Sequence, residues 1–528
     1  MGPHEPDSTG VAAFEAALAS EGSPGRFTTR STAYIGSVNL VAQIADRLLV
    51  FGQIVVVAAV FGATAHADAY FLASIAPLLI GNVIGEPFGR AFLTLVVGIP
   101  GRREAVAIAA AGFWVSAAVL CGVTLLYLAL ALPLVALLRP SGADGMAPWL
   151  VFSAIGPAMG MAAYASGVLL WLERYAWPAL RFPLASAISL GGLGLAALLS
   201  ESVTWAAAGV TVGYLLGFAA MLVPLVRSLG RSLVAPPSRA AVAAVLGVRG
   251  KVAAPIAAGA VGGQVIVLAE RLLGATLGAG SVALLSYARG VAAAPVVLPQ
   301  AVAAGVYPGL VRAAAAQSRS YVADSFFRGL RIATTIGLAF AVYFALFGTD
   351  IIFVLLRRGI FSATSAGVAG GVLAAFALST LAASLVAYLD VVLYGIDRFA
   401  GVLYIAGTIF VSYLVLAPVL RTLGGVEGIA IAFSLSQALG AAVGIALVLS
   451  SLRVGVRELG TRVVLPLAPA AVALAAVLGA YRLAVDSAGI SSAWARAGGS
   501  GGLLLLGLGS VALLLLPESP RLRAVLRP

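Results

Sequence analysis

Apolar residues follow one another along this chain in runs of about twenty or more, with no alternation of polar and apolar positions inside them. A helix needs about 20 apolar residues to cross the hydrocarbon core of a bilayer. By that measure spans are predicted near residues 33–62, 68–98, 105–138, 147–172, 178–200, 206–229, 251–279, 281–311, 330–356, 366–396, 400–420, 427–452, 463–485 and 500–516. A polar, proline-bearing stretch with Arg231, Pro236, Pro237, Arg239 and Arg249 separates the sixth span from the seventh. The strands of a transmembrane barrel alternate every second residue, so the pattern predicts an all-α membrane protein with about 14 transmembrane helices.

Composition agrees with the pattern. Only 10% of the 528 residues are charged, where a soluble domain needs roughly 25% to cover its surface; lipid must take the place of the missing polar surface. The 62 glycines suit helices that pack closely in a bilayer. The net charge of +12 is spread over short loops and not gathered on one face, so it reads as membrane anchoring, with no nucleic-acid partner.

The loops divide by charge. Those after even-numbered spans hold Arg102, Arg103, Arg174, Arg231, Arg239, Arg249, Arg312, Arg319, Arg328, Arg398, Arg453, Arg457 and Arg462, and the last span is followed by Arg521, Arg523 and Arg527. Loops after odd-numbered spans hold Arg139, Arg357, Arg358, Arg421 and Arg496. Positive residues favour the cytoplasm, which predicts that both termini are cytoplasmic and that the number of crossings is even. Residues 1–30 lack the apolar core and cleavage pattern of a signal peptide and read as a disordered cytoplasmic tail. Cys121 stands alone inside an apolar run, and His4 and His66 share no motif, so neither a thiolate nor an imidazole metal site is predicted. With no catalytic constellation in any sizeable loop, the chain does not read as an enzyme.

Residues 163–176, AYASGVLLWLERYA, superpose without a gap on residues 387–400, AYLDVVLYGIDRFA. A weaker echo joins Phe61-Gly62-Ala63, Tyr70 and Pro77 to Leu277-Gly278-Ala279, Tyr287 and Pro295. Both echoes run in the same direction and fall at the same span of each half, which predicts two parallel six-helix lobes related by an axis along the membrane normal, the architecture of a transporter. The resulting division is a tail over 1–30, an N-lobe over 31–230, a cytoplasmic linker over 231–250, a C-lobe over 251–455, and the last two spans with a C-terminal tail over 456–528.

Ionisable groups at membrane depth cost a few kcal/mol and normally face a cavity or a partner. Here they gather in spans one, two, seven and eight: Asp46, Arg47, Asp68, Glu86, Arg90, Glu270, Arg271 and Arg289. With two lobes, these early spans face each other across a central cleft, where Arg47 and Arg289 suit a pyrophosphate or another anionic headgroup. Structural pairing of Asp46 with Arg47 and of Glu270 with Arg271, and snorkelling of Arg90, are the competing readings. Gly52, Pro77, Gly81, Gly85, Pro87, Gly89, Gly290, Pro295 and Pro299 interrupt the same spans, as hinges or as ordinary kinks.

The run Val60-Phe61-Gly62-Ala63, then Asp68-Ala69-Tyr70-Phe71-Leu72-Ala73, Pro77, Glu86 and Ala91-Phe92 resembles the first two spans of the MurJ/MviN lipid II flippases of the MOP (multidrug/oligosaccharidyl-lipid/polysaccharide) exporter superfamily. The resemblance continues at Gly278–Val282, Tyr287-Ala288-Arg289, Pro299, Tyr307-Pro308, Arg358–Ala363 and Leu393–Asp397, and covers roughly residues 33–450 in order. Fourteen spans also fit this family.

The resemblance implies a flippase of the bacterial cytoplasmic membrane, in which two lobes rock around a cationic cavity by alternating access. Its substrate would be the undecaprenyl-pyrophosphate-linked peptidoglycan precursor lipid II, for cell-wall biogenesis, with the lipid tail along the last two spans. Arg47, Asp68, Glu86 and Arg289 match charged positions of the family, and Gln53 stands in span one where the family has an arginine. Glu270 matches an acid that binds sodium in some members, but span eleven offers only hydroxyls such as Thr408 and Ser412 in place of Asn or Asp. Coupling to Na+ or to the membrane potential is therefore expected without any other cofactor. Gly81 replaces a cavity arginine of span two, and Ala288 replaces the aspartate before Arg289. With two cavity cations missing, export of another polyprenyl-linked polysaccharide unit is the alternative.

Overall fold

A computed structural model describes residues 29–85, 89, 92, 96, 101–138, 145–233, 236–315, 319–396 and 398–515. In chain order its main helices are α1 (Thr29–Phe61), α2 (Ala65–Ile80), α3 (Arg102–Leu138), α4 (Ala147–Ser153), α5 (Ile155–Trp171), α6 (Ala176–Leu199), α7 (Val203–Leu229), α8 (Arg239–Ala275), α9 (Ser281–Ala293), α10 (Val297–Ala315), α11 (Arg319–Leu356), α12 (Ala363–Ala375), α13 (Ala377–Gly395), α14 (Phe399–Leu452), α15 (Leu465–Ser487) and α16 (Ala493–Leu515). The described residues contain eleven helices long and apolar enough to cross a membrane. The longest, α14, breaks at Gly425 (φ 55°, ψ −127°) and so contains two passes. The fourteen predicted spans are consistent with this arrangement.

Several spans are broken where the sequence has proline or glycine. Pro77 lies in α2, which continues into a π-helical turn over Gly81–Gly85. Pro295 lies in a 3-10 turn, Ala294–Val296, between α9 and α10. Such breaks in membrane helices persist where neighbouring protein satisfies the backbone. The stretch 231–250, predicted as a linker, is helical from Arg239 onward, and Ser238 caps that helix by accepting from the Ala241 N–H at 3.2 Å. Its first turns pack Ala241 and Val245 on the N-lobe beside Ala109, Met221 and Leu225, while its last turns reach the C-lobe against α14.

The repeat is visible in the hydrogen bonds. Tyr164 in α5 is fully buried and donates to the Ala109 carbonyl of α3 at 2.8 Å. Tyr388, its counterpart in α13, is equally buried and donates to the Phe326 carbonyl of α11 at 3.0 Å. Each lobe therefore ties its fourth span to its third in the same way. A phenol cannot find water at this depth, so it bonds a carbonyl that already serves its own helix. Small residues set the closest approaches, as in the N-lobe, where a Cβ at Gly192 of α6 would lie 2.5 Å from the Gly209 carbonyl of α7. The last two helices lie against α11 of the C-lobe, fixed by the Tyr343 hydroxyl on the Ala497 carbonyl at 2.9 Å and by Arg496 beside Asp350 at 3.7 Å.

Candidate functional site

Between the lobes lies a cavity of about 330 Å³. Its N-lobe wall includes Gln53, Ile54, Tyr70, Phe71, Ser74 and Tyr214, and its C-lobe wall includes Glu270, Arg271, Ser286, Arg289 and Gly290. A second hollow of about 180 Å³ is lined by Arg47, Arg289, Gln300, Ser379, Thr380 and Phe433. Arg289 borders both, so the two form neighbouring compartments of one cleft.

Charge in the cleft is organised by the adjacent pair Glu270-Arg271. Successive residues on a helix point about 100° apart, so the two side chains leave α8 in different directions. Glu270, 2% exposed, forms an ion pair with Arg289, whose side chain is 22% exposed and whose guanidinium also lies 4.1 Å from the centre of the Phe433 ring. Arg271 turns toward the N-lobe, donates to the Phe71 carbonyl and lies 3.5 Å from the Ser74 hydroxyl. With Arg47, three arginines line the two hollows against one carboxylate, which leaves an excess of positive charge.

Gln53 lines the larger hollow, and its amide donates to the Ser186 carbonyl of α6 at 3.1 Å. The Ser186 hydroxyl in turn donates to Asp46 at 2.6 Å, so this acid ties α1 to α6 and does not pair with Arg47. A Cβ at Gly81 would lie 2.9 Å from the Met159 side chain of α5, and the packing there leaves no space for a longer residue. Glu86, and Arg90 with it, lie outside the described residues.

Asp68, predicted as a cavity residue, stands elsewhere. It is 4% exposed, and its carboxylate accepts from the Gly280 N–H at 2.6 Å and the Ala283 N–H at 2.7 Å. The first amides of a helix lack intrahelical partners and carry its positive dipole end. Gly280 precedes α9 with a φ of +88° and offers no side-chain cap, so an N-lobe acid caps a C-lobe helix. Around it the Tyr287 hydroxyl donates to the Gly62 carbonyl at 2.7 Å, and the Ile360 N–H to the Ala59 carbonyl at 3.0 Å. These bonds latch the lobes on the face that carries the loops after odd-numbered spans.

Glu270, the candidate ion-coupling residue, has its charge engaged by Arg289. The Thr408 and Ser412 hydroxyls donate to the Tyr404 and Thr408 carbonyls of their own helix. Among the described residues no three acids, histidines or cysteines come close enough together to hold a metal ion. Arg271 is the cavity residue that sequence reasoning undervalued. An adjacent acid and base inside an apolar span read as a local pair, whereas the helix sends them to opposite partners.

The sequence profile described as "Lipid II flippase MurJ" matches residues 57–495. The chain belongs to the MurJ family. It is similar in fold to a structure described as "Lipid II flippase MurJ, inward closed conformation", with a TM-score of 0.72 at 17% identity over 92% of this chain and 99% of that one. More distant likeness extends to an inward-facing multidrug resistance MATE transporter of the MOP superfamily (TM-score 0.63, 17% identity, 79% of this chain and 99% of that one). The Vibrio cholerae MATE transporter VcmN, in its bent form, gives a TM-score of 0.55 at 15% identity over 82% of this chain and 100% of that one. No curated protein matches the sequence. MurJ membership makes this a multi-pass membrane transporter and not an enzyme.

Proposed function

We propose that this MurJ-family chain is a flippase for undecaprenyl-pyrophosphate-linked peptidoglycan precursor, working by alternating access in the bacterial cytoplasmic membrane. The observation that carries this reading is the cleft itself, in which Arg47, Arg271 and Arg289 face hollows between two lobes latched at one end by Asp68. A diphosphate is recognised by arginine through charge-assisted, bidentate hydrogen bonds. Arg271 supplies a cation beside span two, where Gly81 stands in place of the family's arginine. The hollows, about 330 and 180 Å³, lie at and below the small end of ligand pockets, which run from roughly 300 to 1,000 Å³. The lobes must therefore part before a glycopeptide headgroup enters, while the polyprenyl tail stays in lipid beside the last two helices.

The arginine-rich loops after even-numbered spans define the cytoplasmic face in this reading, with both termini on it, and the latched face is the outer one. Coupling to the membrane potential fits the cleft better than coupling to sodium, because Glu270 is already neutralised by Arg289. An unbalanced cation returning inward gains up to about 2.3 kcal/mol per 100 mV. Gln53 and Gly81 favour a second reading, export of another polyprenyl-diphosphate glycan.

Both readings are tested in proteoliposomes holding fluorescent lipid II, by following its accessibility at the opposite leaflet with and without an imposed voltage. Translocation by the wild-type protein that is lost in Arg271→Gln supports the first. A protein that leaves lipid II in place but moves a different polyprenyl-diphosphate glycan supports the second, and one that moves neither overturns both.

A further inference from the structure

Away from the cleft, three arginines converge where α11 meets the start of α15. Asp324, Arg328 and Arg331 follow one another at helical spacing (i, i+4, i+7) and so share one face of α11. That face, with Phe327, lines a pocket of about 360 Å³ whose other wall is Thr461, Arg462 and Pro466. Arg462 closes the pocket from the side, 2.6 Å from Asp324 and 3.4 Å from Glu458, with its guanidinium 5.2 Å from the centre of the Phe327 ring. Arg328, Arg331 and Arg462 bring three guanidinium groups to the pocket, and nothing in the flippase reading uses them.

Its depth follows from helix length. At 1.5 Å per residue the 38 residues of α11 extend about 57 Å, nearly twice the thickness of a hydrocarbon core of about 30 Å. At the far end Asp350 lies 3.7 Å from Arg496. Counting back the roughly 20 residues that cross the core brings the helix to Arg331, with Arg328 one turn farther out. Both stand at headgroup depth, on the face that carries the arginine-rich loops, and α15 descends into the bilayer from the same level. An open, arginine-lined pocket at this level stands beside the phosphates of one leaflet.

We propose that this pocket binds the phosphodiester headgroup of an anionic phospholipid, with Arg328 and Arg331 holding the phosphate and the acyl chains lying along the α11–α15 surface. The bound lipid bridges the C-lobe and the last two helices at one end, as Arg496 and Asp350 do at the other.

The test is native mass spectrometry of the delipidated full-length protein, titrated separately with phosphatidylglycerol, phosphatidylcholine and inorganic phosphate. Each basic residue at a membrane surface contributes about fivefold in affinity, so Arg328→Gln/Arg331→Gln is expected to bind phosphatidylglycerol roughly thirty-fold more weakly. Phosphatidylcholine should bind weakly to both proteins. Asp324→Asn, which removes a negative charge from the pocket, should bind phosphatidylglycerol more tightly, and it keeps the proposal testable if the double variant fails to fold. Arg398→Gln, on the same face but outside the pocket, should bind as wild type does. Equal loss in Arg398→Gln, no loss in the double variant, or weaker binding in Asp324→Asn overturns the proposal. Millimolar inorganic phosphate that displaces phosphatidylglycerol completely also overturns it, because the site then serves a soluble anion. None of these readouts requires lipid II transport, so the flippase reading and this one fail separately.

Discussion

Replacing Asp68 by asparagine should open the latched face. The carboxylate accepts two N–H bonds at the start of α9, at 2.6 and 2.7 Å, in a buried position. An asparagine oxygen keeps one of them and presents its NH2 group to the other donor. The loss is one charge-assisted bond, about 1.5–3 kcal/mol, and the attraction of a negative charge for a helix N-terminus, about 0.3–1 kcal/mol. A total near 3 kcal/mol shifts the equilibrium toward separated lobes by roughly 150-fold, so an open population of about one in a thousand becomes roughly one in eight. The assay is pulsed electron spin resonance on the protein reconstituted in lipid, with spin labels on cysteines placed at His66 and Thr276, on either side of the latch, and Cys121 replaced by serine. Wild type should give one short distance, and Asp68→Asn should add a longer one. An unchanged distance distribution, with lobes as tightly latched as before, would refute the assignment of Asp68 as the element that holds this face closed.

Two further outcomes follow from the buried contacts. Arg289→Gln leaves Glu270 charged and unpaired, a cost of about 3–5 kcal/mol, and should lower the unfolding temperature in detergent. Adding Glu270→Gln should restore that temperature without restoring lipid II movement, and a double variant that remains as unstable as the single one contradicts the pairing. Tyr164→Phe and Tyr388→Phe each remove a buried hydrogen bond to the neighbouring span, so each should destabilise its lobe by about 1 kcal/mol. The two losses should be similar in denaturant titrations, because the lobes repeat one design.

Much of the fold was legible because a bilayer leaves few solutions. An apolar run of the right length has to become a helix, since backbone polar groups find no water there. The repeat was equally readable, because Tyr164 and Tyr388 sit at matching positions in matching segments and serve the same purpose. The site was only partly readable. Arg289 and Glu270 drew notice as charges at depth, as did Asp68, but their partners lie on other helices and lobes. Asp68 therefore read as a cavity residue when it caps α9, and Arg271 read as half of a local pair when it faces α2.

Hydropathy, loop charge and the internal echo determined that this is a repeated, many-helix membrane transporter, because each of those signals is local or periodic and survives in one dimension. Tertiary structure alone decided which charges neutralise one another, which remain to meet an anion, and where the lobes are held shut. Those outcomes depend on groups as far apart in sequence as the Asp68 carboxylate and the Gly280 N–H coming within hydrogen-bonding distance, and no spacing along a single chain encodes that approach.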